Sequence, residues 1–173
     1  MINVLRHKGK RTIGQGLVEL ALTLPIFLLV VYGIFEVGRL IFMYSAVLNA
    51  SRDAARYAGA SGKNASGVEY YRDCNGIKAH ADKVSSFVDL SAANAVVIQY
   101  DHGPINPADE LPDIPIFAAC PLGSGTPIVT GDRVRVTVNA TFNPIVPLVG
   151  FTEIPITATT PRSILTEVDI WNP

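Results

Sequence analysis

The feature that most constrains this chain is an apolar run near its N-terminus. The sixteen residues 20–35 carry no charge, and eleven of them are Leu, Ile, Val or Phe. A helix of that length rises about 24 Å, and adding Leu17, Val18 and Val37 brings it close to the ~30 Å hydrocarbon core of a bilayer. Charged residues make up 17% of the chain, below the usual quarter of a soluble domain. We therefore predict a membrane helix over residues 17–38.

The distribution of basic residues predicts how this helix is oriented. Four basic residues, Arg6, Lys8, Lys10 and Arg11, precede the run with no acid among them, and only Arg39 closely follows it. The positive-inside rule then places the N-terminus in the cytoplasm and the rest of the chain outside the cytoplasmic membrane, after a single pass. A cleaved secretory signal begins in the same way, but no small-x-small cleavage site follows the run promptly.

The charge balance of the remaining chain argues against nucleic acid as a partner. The 159 residues after position 14 carry 10 basic and 15 acidic side chains. Binding to phosphates requires a basic patch, and none is visible in the sequence.

Helical spacing continues beyond the predicted membrane segment as far as Ala58. Leu40, Ile41, Tyr44, Val47 and Leu48 supply the apolar positions, and Arg39, Arg52, Asp53 and Arg56 the polar ones. Gly59 and Gly62 then end the pattern. We predict one helix over residues 15–60 whose first half lies in lipid and whose second half is amphipathic, with a kink at Pro25, which lacks a backbone donor.

The sequence after the long helix predicts a small α+β domain over residues 61–173. A second helix is expected over residues 75–88, with Ile77, Ala81, Val84 and Phe87 or Val88 on one face. Strands are expected over residues 95–101, 133–142 and 154–164, and the second of these alternates strictly between apolar and polar residues. The fold class is therefore α+β, with a long N-terminal helix and a short second helix on an antiparallel sheet of about three to four strands.

Cys74 and Cys120 are the only two cysteines, and both fall on the side predicted to lie outside the cytoplasm. A disulfide persists in that compartment, and we expect one here. The alternative is a metal pair, but no second Cys or His lies at a chelating spacing from either residue.

The N-terminal part closely resembles the TadE-like family, the minor pseudopilins of the tight-adherence (Tad, Flp) branch of type IV pili. The resemblance is carried by "GQGLVELALTLPIFLLVVYGIFEVGRLIFMYSAVLNASRDAARYAGA" and, more loosely, by "GDRVRVTVNATFNPIVPLVG" and "ITATTPRSI". It implies that a prepilin peptidase removes a basic leader, residues 1–14, by cutting between Gly14 and Gln15. Glu19 would then be the fifth residue of the mature chain, where in pilin-like assemblies a glutamate is expected to meet the amino terminus of a neighbouring subunit.

The leading function predicted is structural: a processed membrane pseudopilin that joins a pilus initiation complex or filament through its helix, including Glu19 and Pro25. Its partners would be the membrane, other pilin or pseudopilin subunits, and the prepilin peptidase. One alternative is a major pilin that builds the filament, and another is a membrane-tethered binding module or enzyme on the outer face.

The residues give little support to catalysis or to metal binding. His80 is expected to be a packed core histidine of the second helix, and His102 lies in a proline-rich loop. Asp101, Asp109, Glu110 and Asp113 do not follow the spacing of a calcium loop. We predict no enzyme activity, cofactor, metal or small-molecule substrate.

The loop over residues 143–151 is the remaining candidate for a partner contact. Its large apolar residues are Ile145, Val146, Leu148, Val149 and Phe151. Either the loop folds back under the sheet, which we favour, or it forms an exposed patch that touches a partner subunit or the bilayer.

Overall fold

The computed structural model describes residues 13–85, 88–103, 116–123, 125–145 and 153–166. Its helices are α1 (Ile13–Ala58) and α2 (Cys74–Val84), with a short 3-10 helix (Tyr70–Arg72) between them. Its strands are β1 (Val96–Asp101), β2 (Ile116–Ala119), β3 (Arg133–Phe142) and β4 (Ile154–Ser163). The predicted α+β fold with one long and one short helix is confirmed.

The chain divides into two compact units, Met1–Arg39 and Leu40–Pro173. In the first unit, α1 leaves nearly all of its apolar side chains exposed, among them Leu22, Phe27 and Phe35. By length and composition this helix is suited to cross a membrane once, with a mean hydropathy of 2.3 in its most apolar window. An apolar helix that buries none of that window within the protein is typical of a membrane anchor. The predicted domain boundaries at residues 14 and 60 remain predictions.

In the second unit, the four strands form one antiparallel sheet in the order β2-β1-β3-β4. In β3, Val134, Val136, Val138 and Phe142 are buried, which confirms the predicted apolar face. Val136 pairs with Ile98 of β1 on one side and with Thr160 of β4 on the other. The fourth strand, β2, is not among the three ranges that the sequence analysis predicts as strands.

The second half of α1 covers this sheet with small side chains. The buried positions recur every three or four residues: Val47, Ala50, Ser51, Ala54, Ala55 and Ala58. Small residues allow close approach to the strands, and the Ser51 Oγ lies 2.9 Å from the Thr160 Oγ1. Of the apolar positions that predicted this part of the helix, Val47 is buried, whereas Ile41 and Tyr44 are exposed. Leu40 and Met43, on the same stretch of the helix, pack against the core.

Helix α2 begins at Cys74, one residue earlier than predicted, and ends at Val84, four residues earlier. Asp73 caps it, since one carboxylate oxygen accepts the Gly76 N–H at 2.8 Å. At the other end, the Ser85 N–H donates to the carbonyls of Ala81 and Asp82 and closes the last turn. Ile77 and Ala81 are buried as predicted, whereas Val84 is exposed.

Candidate assembly site

The residues of the predicted processing and assembly site lie on the first turns of α1. Gly14, Gln15 and Glu19 are all exposed. Within the described part of the chain, the Glu19 carboxylate has no hydrogen bond and no ion pair. It is an acidic group at the edge of an apolar helix with no partner of its own.

The other polar side chains of this helix segment do have partners. The Thr23 Oγ1 donates to the Glu19 carbonyl at 2.9 Å, so the hydroxyl is satisfied within the helix. The Arg39 Nη1 lies 3.0 Å from the Glu36 Oε2, and the Tyr32 hydroxyl donates to the same carboxylate. Glu36 and Arg39 therefore neutralise each other, and the Glu19 carboxylate stands apart from these pairs.

Pro25 lies inside α1, and the helix continues through it to Ala58. A proline has no N–H, so the carbonyl of Ala21 loses its usual helical donor. The predicted kink stays a prediction. The exposed apolar residues on either side, such as Leu24 and Ile26, leave this part of the helix available to lipid or to a neighbouring helix.

The predicted disulfide between Cys74 and Cys120 is present, with 5.9 Å between the two Cα atoms. It joins the first residue of α2 to the residue that follows β2. Next to it, the buried Tyr100 hydroxyl donates to the Tyr71 carbonyl, and burial raises the pKa of Tyr100. The disulfide thus fixes α2 to the edge of the sheet.

A polar network centred on Asp73 joins α1 to α2. The Asp73 Oδ2 accepts the Tyr57 hydroxyl and an amide N–H of Asn64, each at 2.7 Å. The Gly76 N–H and then the Tyr57 hydroxyl hold the pKa of the Asp73 carboxyl below its usual value. Burial, followed by the bond to Asp73, raises the pKa of Tyr57 to about 12. A Cβ on Gly76 would overlap the Asp73 carboxylate and the Tyr57 hydroxyl, so a larger residue here would displace part of this network.

A second charged cluster stands where β1 ends. The Asp101 carboxylate is fully buried and accepts the Arg133 Nε at 2.7 Å, while the Arg135 Nη2 lies 3.2 Å from its other oxygen. The neighbouring His102 Nδ1 lies 2.9 Å from the Asp132 carboxylate. These pairs close one end of the sheet and hold no nucleophile.

The prediction that His80 is a packed core histidine was wrong. Its side chain is 37% exposed, its ring stacks on Tyr57 at 4.2 Å between centroids, and its Nδ1 lies 3.0 Å from the Asp53 Oδ2. The short α2 carries this position at the rim of the packed face. In the described residues, no three His, Cys, Asp or Glu side chains gather as a metal site. Asp109, Glu110 and Asp113 lie outside those residues.

The candidate contact loop is described only at its beginning. Ile145 is 67% exposed. Val146, Leu148, Val149 and Phe151 lie outside the described residues, so both alternatives for this loop stay predictions.

The sequence did not single out a group of arginines that the fold brings together. Arg52 and Arg56 counted only as polar helix positions, but the structure places both beside Arg162 of β4 along one groove. The spacing of four residues between Arg52 and Arg56 puts them on one helix face, which is a signal available in the sequence. The third arginine is brought in by tertiary packing.

Residues 14–56 match the family model described as TadE-like protein, which is the family predicted from the sequence. No curated protein and no solved structure gives a significant match to the chain. The matched segment contains the exposed anchor, Glu19 and the start of the stripe that packs on the sheet. Over this N-terminal segment the chain is similar to TadE-like proteins, and the match together with the exposed apolar helix fits a Tad pilus-associated membrane protein.

Proposed function

We propose that this protein is a pseudopilin of a Tad-type pilus, cut after Gly14 by a prepilin peptidase and incorporated through α1 into an initiation complex or filament. The observation that carries the proposal is the Glu19 carboxylate. It lies five residues after the proposed cut and is the one charged group in residues 14–39 without a partner among the described residues.

The apolar anchor needs new packing contacts when the subunit joins an assembly. Eleven strongly apolar residues contribute on the order of −5 kcal/mol to membrane insertion. A subunit leaves the lipid only if the assembly offers comparable packing for exposed side chains such as Leu22 and Phe27. The exposed apolar surface of α1 would supply that packing against the helices of neighbouring subunits.

When the subunit leaves the lipid and joins the assembly, the Glu19 carboxylate also needs a partner. Moving an isolated carboxylate into an apolar bundle costs several kcal/mol, and the cost is offset when it pairs with a cation and forms hydrogen bonds. Cleavage after Gly14 would create an ammonium group on Gln15, one helical turn from Glu19. In our proposal this amine of one subunit pairs with the Glu19 carboxylate of its neighbour. The role is structural and involves no catalysis by this chain.

The proposal is tested with the full chain in its native cell, comparing Glu19→Ala with Thr23→Ala. Thr23 lies one turn further along the same helix and bonds only to backbone. We expect Glu19→Ala to remove the protein from pilus assemblies while its membrane level and disulfide are retained, and Thr23→Ala to assemble normally. Normal assembly of Glu19→Ala would contradict the proposal and favour a simple anchor.

Processing is tested separately with Gly14→Leu. We expect this variant to keep its leader and to accumulate in the membrane at the unprocessed mass. A Gly14→Leu chain that is shortened as in the wild type would contradict cleavage at this bond.

A further inference from the structure

The pairing of the arginines is uneven. Four of the seven arginines in the described residues lie within salt-bridge distance of a carboxylate: Arg39 with Glu36, Arg72 with Glu69, and Arg133 and Arg135 with Asp101. The other three are Arg52, Arg56 and Arg162. None of these three has an ion pair or hydrogen bond in the described part of the chain. All three are exposed.

These three arginines lie on one groove between α1 and β4, which we call the arginine groove. It consists of two adjoining cavities of about 560 and 530 Å³ that share Arg56, Pro161 and Arg162. Arg52 and Asp53 line the first cavity, and the already paired Arg133 lines the second. The Asp53 carboxylate is engaged by the His80 Nδ1 at 3.0 Å. The groove therefore offers an excess of unpaired guanidinium groups.

A lipid surface is not the anionic partner that we favour for this groove. Arg52 and Arg56 follow Leu40, the first residue of the second unit, by 12 and 16 residues of continuous helix, or about 18 and 24 Å. These lengths along the helix are longer than the ~8 Å Debye length at physiological salt, so the two arginines are well separated along the chain from the predicted membrane segment. Nucleic acid is disfavoured by the acidic excess after residue 14. We favour a carboxylate-bearing polypeptide as the class of partner, because carboxylates match the guanidinium groups of the groove.

The chain itself contains a segment of matching charge. Residues 109–113 read "DELPD", with three carboxylates and no cation in five residues, the densest acidic stretch of the sequence. Guanidinium groups bind carboxylates in a bidentate manner with short, charge-assisted hydrogen bonds. One exposed pair contributes little, but three pairs in one groove act together.

We propose that the arginine groove of one copy binds residues 109–113 of a second copy, joining the outer domains of neighbouring subunits. This inference rests on the proposed function, because subunits anchored side by side in a membrane present their outer domains to one another at high local concentration. The contact lies outside α1's anchor segment and is separate from the pairing of Glu19.

The experiment uses full-length chains with two different tags, co-expressed in membranes and solubilised at low salt. The groove variant carries Arg52→Glu, Arg56→Glu and Arg162→Glu, and the segment variant carries Asp109→Lys, Glu110→Lys and Asp113→Lys. The matched control reverses two exposed lysines, Lys63→Glu and Lys78→Glu. Co-purification of one tag with the other is measured for each pair of chains.

We expect wild-type chains to co-purify, and the yield to fall as salt is raised. Either variant paired with itself should lose about tenfold in yield, whereas the two variants mixed together should recover it, because every mixed contact joins opposite charges. The control should behave as the wild type. Recovery also shows that both variants are folded.

The proposal is overturned if wild-type chains do not co-purify, if the groove variant pairs with itself at the wild-type yield, or if mixing the two variants restores nothing. The intact mass of the same wild-type preparation is measured in parallel. If the intact mass is that of a chain beginning at Gln15 and the wild-type chains do not co-purify, only the groove contact is contradicted. If the mass shows that the leader is uncut, the proposed function is contradicted.

Discussion

Asp101 and Arg133 form an ion pair at the end of the sheet, where the Arg133 Nε lies 2.7 Å from a carboxylate with no exposed surface. The pair joins adjacent positions of β1 and β3, and Arg135 approaches the same carboxylate from the next outward position of β3. Removing the acid would leave two guanidinium groups, each about one fifth exposed, without their counter-charge.

Asp101→Asn is therefore expected to destabilise the second unit by about 3 kcal/mol, because breaking a buried pair leaves the partner charge uncompensated. Denaturant unfolding of the full chain in detergent measures this change. The control is Asp82→Asn, an exposed carboxylate on α2 that makes no side-chain bond among the described residues, and its effect should stay within about 0.5 kcal/mol. Equal effects of the two substitutions would contradict the importance of this pair.

The disulfide between Cys74 and Cys120 closes a loop with a sequence separation of 46. Replacing both cysteines by Ala should lower the free energy of unfolding by about 4 kcal/mol, the value given by the chain-entropy model for a loop of this length. A reducing agent should produce the same loss in the wild type and none in the double variant. A wild type whose unfolding does not respond to reduction would argue against this stabilising role.

The lowered pKa of Asp73 predicts how the stability of the protein depends on pH. The Gly76 N–H and the Tyr57 hydroxyl lower the pKa of this carboxyl from its ordinary 3.8, so folding favours the ionised form. This stabilisation is present above about pH 4 and is lost as the pH falls through the lowered pKa of the folded state. Asp73→Asn should lose less stability than the wild type over that acidic range, and Asp82→Asn should follow the wild type. Unfolding curves measured from pH 6 down to about pH 2.5 test this, and identical slopes for wild type and Asp73→Asn would contradict it.

Gly76 offers a test in which helix propensity and packing oppose each other. Ala stabilises a helix interior by about 1 kcal/mol relative to Gly. Here, however, a Cβ would overlap the Asp73 carboxylate and the Tyr57 hydroxyl. We expect Gly76→Ala to destabilise the protein by about 1–3 kcal/mol, as overpacking does, and Asn75→Ala, at the exposed neighbouring position, to be neutral or stabilising. If Gly76→Ala were more stable than the wild type, the Asp73 network would be able to rearrange around the added Cβ without a loss of stability.

The sequence predicted the elements whose pattern is long and regular. The uncharged residues 20–35 identified the anchor, and the strict alternation of residues 133–142 identified β3 together with its buried face. Strand β2 has four residues, Ile116–Ala119, with no alternation, so its existence depends on pairing with β1. The early end of α2 depends in the same way on the closing bonds of Ser85 rather than on apolar spacing.

Some of the candidate sites are likewise defined by local sequence, whereas others are formed only by tertiary packing. Gly14 and Glu19 are defined by their distance along the chain, and the two cysteines by the compartment, so the sequence was sufficient to propose them. The arginine groove joins Arg52 and Arg56 to Arg162, more than a hundred residues away, through the packing of α1 on β4. Local sequence patterns carry no information on such a contact, and His80 was misplaced for the same reason.

The central claim is that a prepilin peptidase cuts this chain after Gly14 and so creates the amine that pairs with Glu19. The most direct test is the intact mass and N-terminal sequence of the protein isolated from the membranes of its native cell. We predict a mature chain that begins at Gln15 and retains Glu19 as its fifth residue. A chain that keeps Met1, or one that begins beyond Tyr44 and lacks the anchor, would contradict it.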